Sequence, residues 1–171
     1  MRFKVLSVFA ALLLVAACES APESSGAATG SGTAAGSGGQ PAMAGQVRPG
    51  SVADFVTNVG DRVFYDFDKS DITPQGAETL RKQAAWLKKY PSVTLSVEGH
   101  CDERGTREYN LALGDRRANA VREFLVGQGV SANRLTTVSF GKEKPEVVGS
   151  TEWAWSQNRR GVSVPKNAPA S

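Results

Sequence analysis

From Glu19 to about Pro49 the chain is built of Gly, Ser, Ala, Thr and Pro with almost no large apolar side chain, as in Gly-Ser-Gly-Thr-Ala-Ala-Gly-Ser-Gly-Gly at 30 to 39. No other feature limits the fold so strongly, because such a stretch cannot bury enough apolar surface to offset the entropy of ordering its backbone. It reads as a flexible tether. A coil of about 30 residues has a root-mean-square span near ~30 Å and a fully drawn length approaching ~100 Å. Of the 171 residues, what remains beyond the tether suffices for one ordinary globular domain and no more.

Ahead of the tether, Met1 to Cys18 reads as a secretory signal. Arg2 and Lys4 supply its positive end, Val5 to Val15 its apolar stretch, and Ala16-Ala17 the small residues before a cut. The alternative, a membrane-anchor helix, conflicts with an apolar run well under the ~20 residues that a span requires. Val15-Ala16-Ala17-Cys18 resembles a bacterial lipobox. That resemblance implies a mature chain beginning at Cys18, with a thioether-linked diacylglycerol and an amide-linked acyl chain on it. One acyl chain holds a protein only marginally; three, at about 0.8 kcal/mol per buried methylene, make desorption negligible. Residue two is then Glu19, not the aspartate that retains such proteins at the inner membrane, so the resemblance implies sorting to the outer membrane with the folded part in the periplasm. The expected organisation is a signal peptide over 1–17, a lipidated N-terminus and tether over 18–50, a domain over 51–165 and a flexible tail over 166–171.

The formal charge is +3, and Arg2 and Lys4 supply two of those positive charges, so nothing here makes an electrostatic case for nucleic acid. Two cysteines are present, and once Cys18 is acylated Cys101 has no partner for a disulfide. Cys101 is then either a small buried apolar residue or a free thiol. A single histidine, His100, leaves no second imidazole for a zinc site, and no other cofactor is expected.

From Ser51 onward strand and helix patterns alternate. Val63 to Phe67 is aromatic and β-branched and runs into the polar Asp68-Lys69-Ser70-Asp71. Thr73-Pro74 opens a helix, with Thr73 as N-cap and Pro74 at its first position. Ala77, Leu80, Ala84 and Leu87 form its apolar stripe, and Tyr90-Pro91 stops it. Val93, Leu95 and Val97 alternate with polar residues in a strand ending at Gly99. A loop from His100 to Arg107 leads into a helix over about Glu108–Gln128, with Gly129 beyond its end. A strand over roughly Leu135–Phe140, a short helix over Glu152–Gln157 and a strand over Arg160–Val164, closed by Pro165, complete the order β-α-β-α-β-α-β. The expected fold is α/β of the α+β type, a two-layer sandwich with helices on one face of a mixed sheet.

Three stretches carry a family resemblance: Phe67-Asp68-Lys69-Ser70-Asp71-Ile72; the run from Glu98-Gly99-His100-Cys101-Asp102-Glu103-Arg104-Gly105-Thr106 to Arg116-Arg117-Ala118; and Gln157-Asn158-Arg159-Arg160. Together they resemble the OmpA-like C-terminal domain family, in its peptidoglycan-associated lipoprotein branch, over roughly Val52 to Val164. The resemblance implies a ligand, the peptide stem of peptidoglycan held through diaminopimelate, whose free end carries an ammonium and a carboxylate on one carbon. It also implies a non-covalent, non-catalytic link between outer membrane and cell wall. The partner implied is TolB, within the Tol-Pal system of envelope integrity and cell division. Residue by residue, Asp102 would take the ammonium and Arg117 would grip the carboxylate with its planar fork. Asn110 would hydrogen-bond the ligand, Leu113 would wall the pocket, Phe67, Asp68 and Ser70 would form the opposite rim, and Arg159 would add a donor.

Independently of the family, Asn110, Leu113 and Arg117 fall at helical spacing on one face, leaning toward the helix start where the Asp102 loop arrives. The plainer reading of Asp102 and Arg117 is an ion pair fastening loop to helix, and that of Asn158-Arg159-Arg160 is a solvated charge cluster. Two rival functions stand beside the binding role. One is hydrolysis of the same polymer by Glu98, Asp102 and Glu103 or by His100-Cys101; adjacent residues on an extended segment point opposite ways, which weakens that nucleophile and base. The other is a module that chiefly docks TolB.

Overall fold

A computed structural model of the protein describes residues 47–170. The signal segment, Cys18 and nearly all of the tether lie outside the described residues.

Four strands form one mixed sheet in the order β1-β4-β2-β3. They are β1 (Arg62–Phe64), β2 (Thr94–His100), β3 (Leu135–Gly141) and β4 (Arg160–Lys166). The last strand lies between the first two and pairs antiparallel with both, while β2 and β3 run parallel. In β2 the expected alternation holds, with Leu95 and Val97 buried and Thr94, Ser96 and Glu98 partly exposed. The inward positions of β4 are the small Gly161, Ser163 and Pro165. The strand continues through Pro165, opposite Leu95, to Lys166 rather than stopping there, and beyond it the Pro169 carbonyl accepts the Val52 N–H at 2.8 Å.

Two long helices, α2 (Pro74–Lys89) and α3 (Arg107–Gly127), supply the second layer. Thr73 caps α2 through the Gly76 N–H, with Pro74 opening the first turn as expected. Leu80, Ala84 and Leu87 of α2 meet Ala118, Val121 and Leu125 of α3 in a core closed beneath by Val63, Leu95 and Val97. The stripe of α2 is wider than its apolar spacing predicted. Trp86 is buried, and so is Gln83, whose amide donates to the Gly60 carbonyl at 2.7 Å and accepts from the Ser163 hydroxyl at 2.8 Å. A buried amide is tolerated when both its ends are satisfied.

Two further helices frame this sandwich. A short α1 (Val52–Asp54), capped by Ser51, runs into a π-helical turn (Phe55–Val59) closed by Gly60 at φ 93°. Its Phe55 is fully buried against Trp86, with ring centroids 4.9 Å apart. A segment this short carries too few residues to show a helical period, so nothing in the sequence pattern marks it. The last helix, α4 (Glu152–Asn158), touches the loop after β2 through Trp155 and Glu103.

Candidate functional site

The site forms where two loops meet the start of α3. The β1 strand is shorter than its aromatic run suggested: the chain turns at Asp66, whose carbonyl accepts the Lys69 N–H at 3.2 Å, and Asp68 takes a left-handed φ of 58°. That turn swings Phe67 out to 58% exposure instead of continuing the strand. Tyr109, on the first turn of α3, donates its hydroxyl to the Asp68 carboxylate and ties this rim to the helix.

Across from the rim, only six residues separate the end of β2 from the start of α3, with Thr106 accepting the Tyr109 N–H as N-cap. The helix lies unusually close to the strand. A Cβ on Gly99 would overlap the Gly114 carbonyl, and one on Gly114 would overlap the Ser139 hydroxyl, so only glycine fits at either place. A mid-helix glycine, unfavourable by ~1 kcal/mol in isolation, is explained by this approach. It lowers the face bearing Asn110, Leu113 and Arg117 onto the loop that carries Asp102.

The result is a cavity of about 160 Å³ lined by residues including Phe67, Asp68, Asp102, Arg104, Leu113 and Arg117. It is smaller than the ~300–1,000 Å³ of usual small-molecule sites, and it suits the end of a ligand rather than a whole one. Asp102 and Arg117 therefore face one pocket, as the helical spacing predicted. They do not form the ion pair that was the plainer reading. Arg117 is fully buried and donates from Nε to the Lys69 carbonyl at 2.8 Å, from Nη1 to the His100 carbonyl at 2.8 Å and from Nη2 to the Asp66 carbonyl at 3.2 Å. No carboxylate lies within ion-pairing distance of it among the described residues. One N–H remains on each Nη. Burial lowers the Arg117 pKa, as expected for a charge removed from water without a counter-ion.

Asp102 is 4% exposed and is held by other groups. Its Oδ2 accepts from Arg104 Nη2 at 2.6 Å and from Arg159 Nη1 at 3.4 Å, and its Oδ1 accepts the Arg104 N–H at 3.1 Å. Burial alone would raise its pKa, but these contacts outweigh it and hold the carboxyl below its ordinary value, hence ionised.

The remaining expected residues divide. Leu113 walls the pocket. Asn110 lines it too, but both of its amide donor contacts go to the loop, to the Arg104 carbonyl at 2.8 Å and the Thr106 carbonyl at 3.0 Å. Arg159 stands behind Asp102, buried, bridging it to Glu152 at 2.7 Å and donating to the Tyr65 carbonyl; it is no solvated cluster, since Asn158 and Arg160 are buried as well. Ser70 faces away, into a separate shallow groove with Asp71 and Asp115, because the turn at Asp66–Asp68 redirects the chain before it.

Arg104 does not stand out in the sequence, although it sits two residues from Asp102. Its guanidinium lies between the rings of Phe67 and Trp155, 4.1 Å from each centroid. Only the tertiary fold brings Trp155 there, so no local signal could have revealed the sandwich. Cys101 is buried and its thiol donates to the Asn110 carbonyl at 3.3 Å, which settles it as a packed residue; burial raises its pKa and keeps it a thiol. His100 is buried too, stacked on Phe140 at 5.4 Å, and burial lowers its pKa to about 4.

A model of the OmpA family matches residues 64–159. A peptidoglycan-associated lipoprotein of Agrobacterium fabrum is 57% identical over 121 residues, covering 71% of this chain and 68% of that relative. One of Mesorhizobium japonicum is 47% identical over 163 residues, covering 95% of this chain and 92% of its own length. The crystal structure of the peptidoglycan-associated lipoprotein from Burkholderia pseudomallei superposes with a TM-score of 0.61 at 43% identity, covering 62% of this chain and 90% of that one.

Proposed function

This chain belongs to the OmpA family, in its peptidoglycan-associated lipoprotein branch, and from that premise we propose that its pocket holds the diaminopimelate end of a peptidoglycan stem peptide without catalysing any reaction. The observation that carries this reading is Arg117, a fully buried guanidinium with no carboxylate beside it, at the wall of a pocket that also presents Asp102. Burying an unpaired charge costs several kcal/mol, and a ligand carboxylate on the two remaining Nη donors offsets that. The ligand's ammonium reaches Asp102, whose Oδ1 holds only a backbone N–H. A terminus with both charges on one carbon satisfies both groups at once.

Binding without turnover agrees with the state of Cys101 and His100. Cys101 is a buried thiol rather than a thiolate, and His100 stacks on Phe140 away from it.

The wider role follows the family: Cys18 carries the diacylglycerol and N-acyl chain, these fix the protein to the outer membrane, and the domain grips the wall from the periplasmic side as part of the Tol-Pal system with TolB. Co-sedimentation with purified sacculi tests the site. Asp102→Ala and Arg117→Lys should each weaken binding about tenfold or more, since charge-assisted hydrogen bonds contribute roughly 1.5–3 kcal/mol and an ammonium cannot reproduce the planar fork. Undiminished co-sedimentation of both variants, shown folded by their circular dichroism, rejects the site, and release of soluble muropeptides by the wild-type chain rejects the non-catalytic reading.

A further inference from the structure

Charges around Asp102 alternate in a closed set. Arg104 lies 2.6 Å and Arg159 3.4 Å from its Oδ2, and Glu152 lies 2.7 Å from Arg159 and 3.9 Å from Arg104. Two carboxylates and two guanidiniums therefore neutralise one another, and Arg117 stands outside the set. Arg104 is fixed in its place by more than Asp102. The Phe67 and Trp155 rings each hold its guanidinium carbon 4.1 Å from their centroids. A planar cation held by two π-faces keeps its charge in the pocket whether or not a ligand is present.

The consequence concerns which ligand ends are admitted. A terminus with an ammonium and a free carboxylate brings no net charge, and gives Arg117 the anion it lacks. The same terminus with its carboxylate amidated brings a net positive charge against three guanidiniums, and leaves Arg117 unpaired. We propose that Arg104 is a specificity-determining residue: by holding Asp102 in a neutral pair, it makes the pocket accept stem peptides with a free diaminopimelate carboxylate and refuse their amidated counterparts.

This inference rests on the binding role proposed above, and the test separates the two. The full chain in detergent is titrated calorimetrically with a diaminopimelate-containing tripeptide whose side-chain terminus is either a free carboxylate or its amide. The wild-type chain should prefer the free acid about tenfold or more, the range expected when a charge-assisted hydrogen bond is replaced. Arg104→Gln should narrow that ratio severalfold, leaving only the share that Arg117 contributes, because Asp102 then attracts any cation, whereas Arg104→Lys, which keeps the charge, should retain most of the preference. A purely structural role for Arg104 would change both affinities together and leave the ratio alone. Equal wild-type affinity for the two peptides overturns the inference, as does an unchanged ratio, or loss of both peptides, in Arg104→Gln. If the wild-type chain binds neither peptide, the underlying binding role fails instead.

Discussion

Three buried ionisable side chains around the end of β2 and the face of α3 are treated differently by this fold, and the differences set its acid response. Asp102 keeps its charge because two guanidiniums and a backbone N–H are spent on it. Arg117 donates only to backbone carbonyls, and those come from the Asp66–Lys69 turn and from the end of β2, so it is also a clasp. His100 has no hydrogen-bond partner on either ring nitrogen, the Glu98 carboxylate standing 3.6 Å from its Nε2, and stays neutral, its pKa lowered to about 4 from an ordinary 6.5 by burial first and then by the nearby Arg160. Between those two values the unfolded chain binds a proton that the folded chain does not. The stability contributed by neutral His100 is therefore complete above 6.5 and drains away as pH falls toward 4. Each pH unit across that interval corresponds to ~1.4 kcal/mol, so the total is on the order of 3 kcal/mol. Replacing His100 by Phe keeps the stack on Phe140 and removes the titration. In urea unfolding, the loss of stability between pH 7 and pH 4.5 should be smaller in His100→Phe by about 2 kcal/mol; an equal loss in both proteins contradicts the assignment.

Contact between α3 and β2 fixes the site geometry, and it depends on two facing glycines. Gly99→Ala or Gly114→Ala must push the helix off the sheet, an overpacking that costs roughly 1–3 kcal/mol or more. Either should also weaken ligand binding, because Arg117 and Leu113 ride on that helix. Gly127, on the same helix with nothing within 4 Å of where a Cβ would stand, is the control: Gly127→Ala should stabilise the protein by up to ~1 kcal/mol. Denaturant titration of the three variants distinguishes a close-approach requirement from a general intolerance of alanine. The elements themselves were legible where a period and a cap coincided. Thr73-Pro74 with Tyr90-Pro91 bounded α2, and the alternation around Leu95 located β2. The π-turn after Asp54 offers no period, and the turn at Asp66 hides inside an aromatic run whose residues favour strands. Within the site, the co-facing of Asn110, Leu113 and Arg117 could be read from spacing, because they share one helix. Their partners could not: Trp155 reaches Arg104 and Arg159 reaches Asp102 through contacts between segments some fifty residues apart.

On the scale of the whole molecule, the proposed lipid anchor at Cys18 is separated from the proposed wall-binding site by the Glu19–Pro49 stretch, which has almost no large apolar side chain. Cys18→Ser should leave the domain folded and binding sacculi while releasing it from membranes; persistent membrane attachment of that variant in a carbonate wash would contradict lipid anchoring. The claim on which the rest depends is the location of the ligand. Amide chemical-shift mapping of the chain during titration with a diaminopimelate-containing tripeptide tests it most directly. The account predicts saturable shifts centred on the Asp66–Asp68 turn, on Cys101 to Gly105 and on the α3 turns bearing Leu113 and Arg117. Shifts confined to the groove beside Ser70 and Asp115, or saturable binding that leaves the Asp102 loop unperturbed, would contradict it.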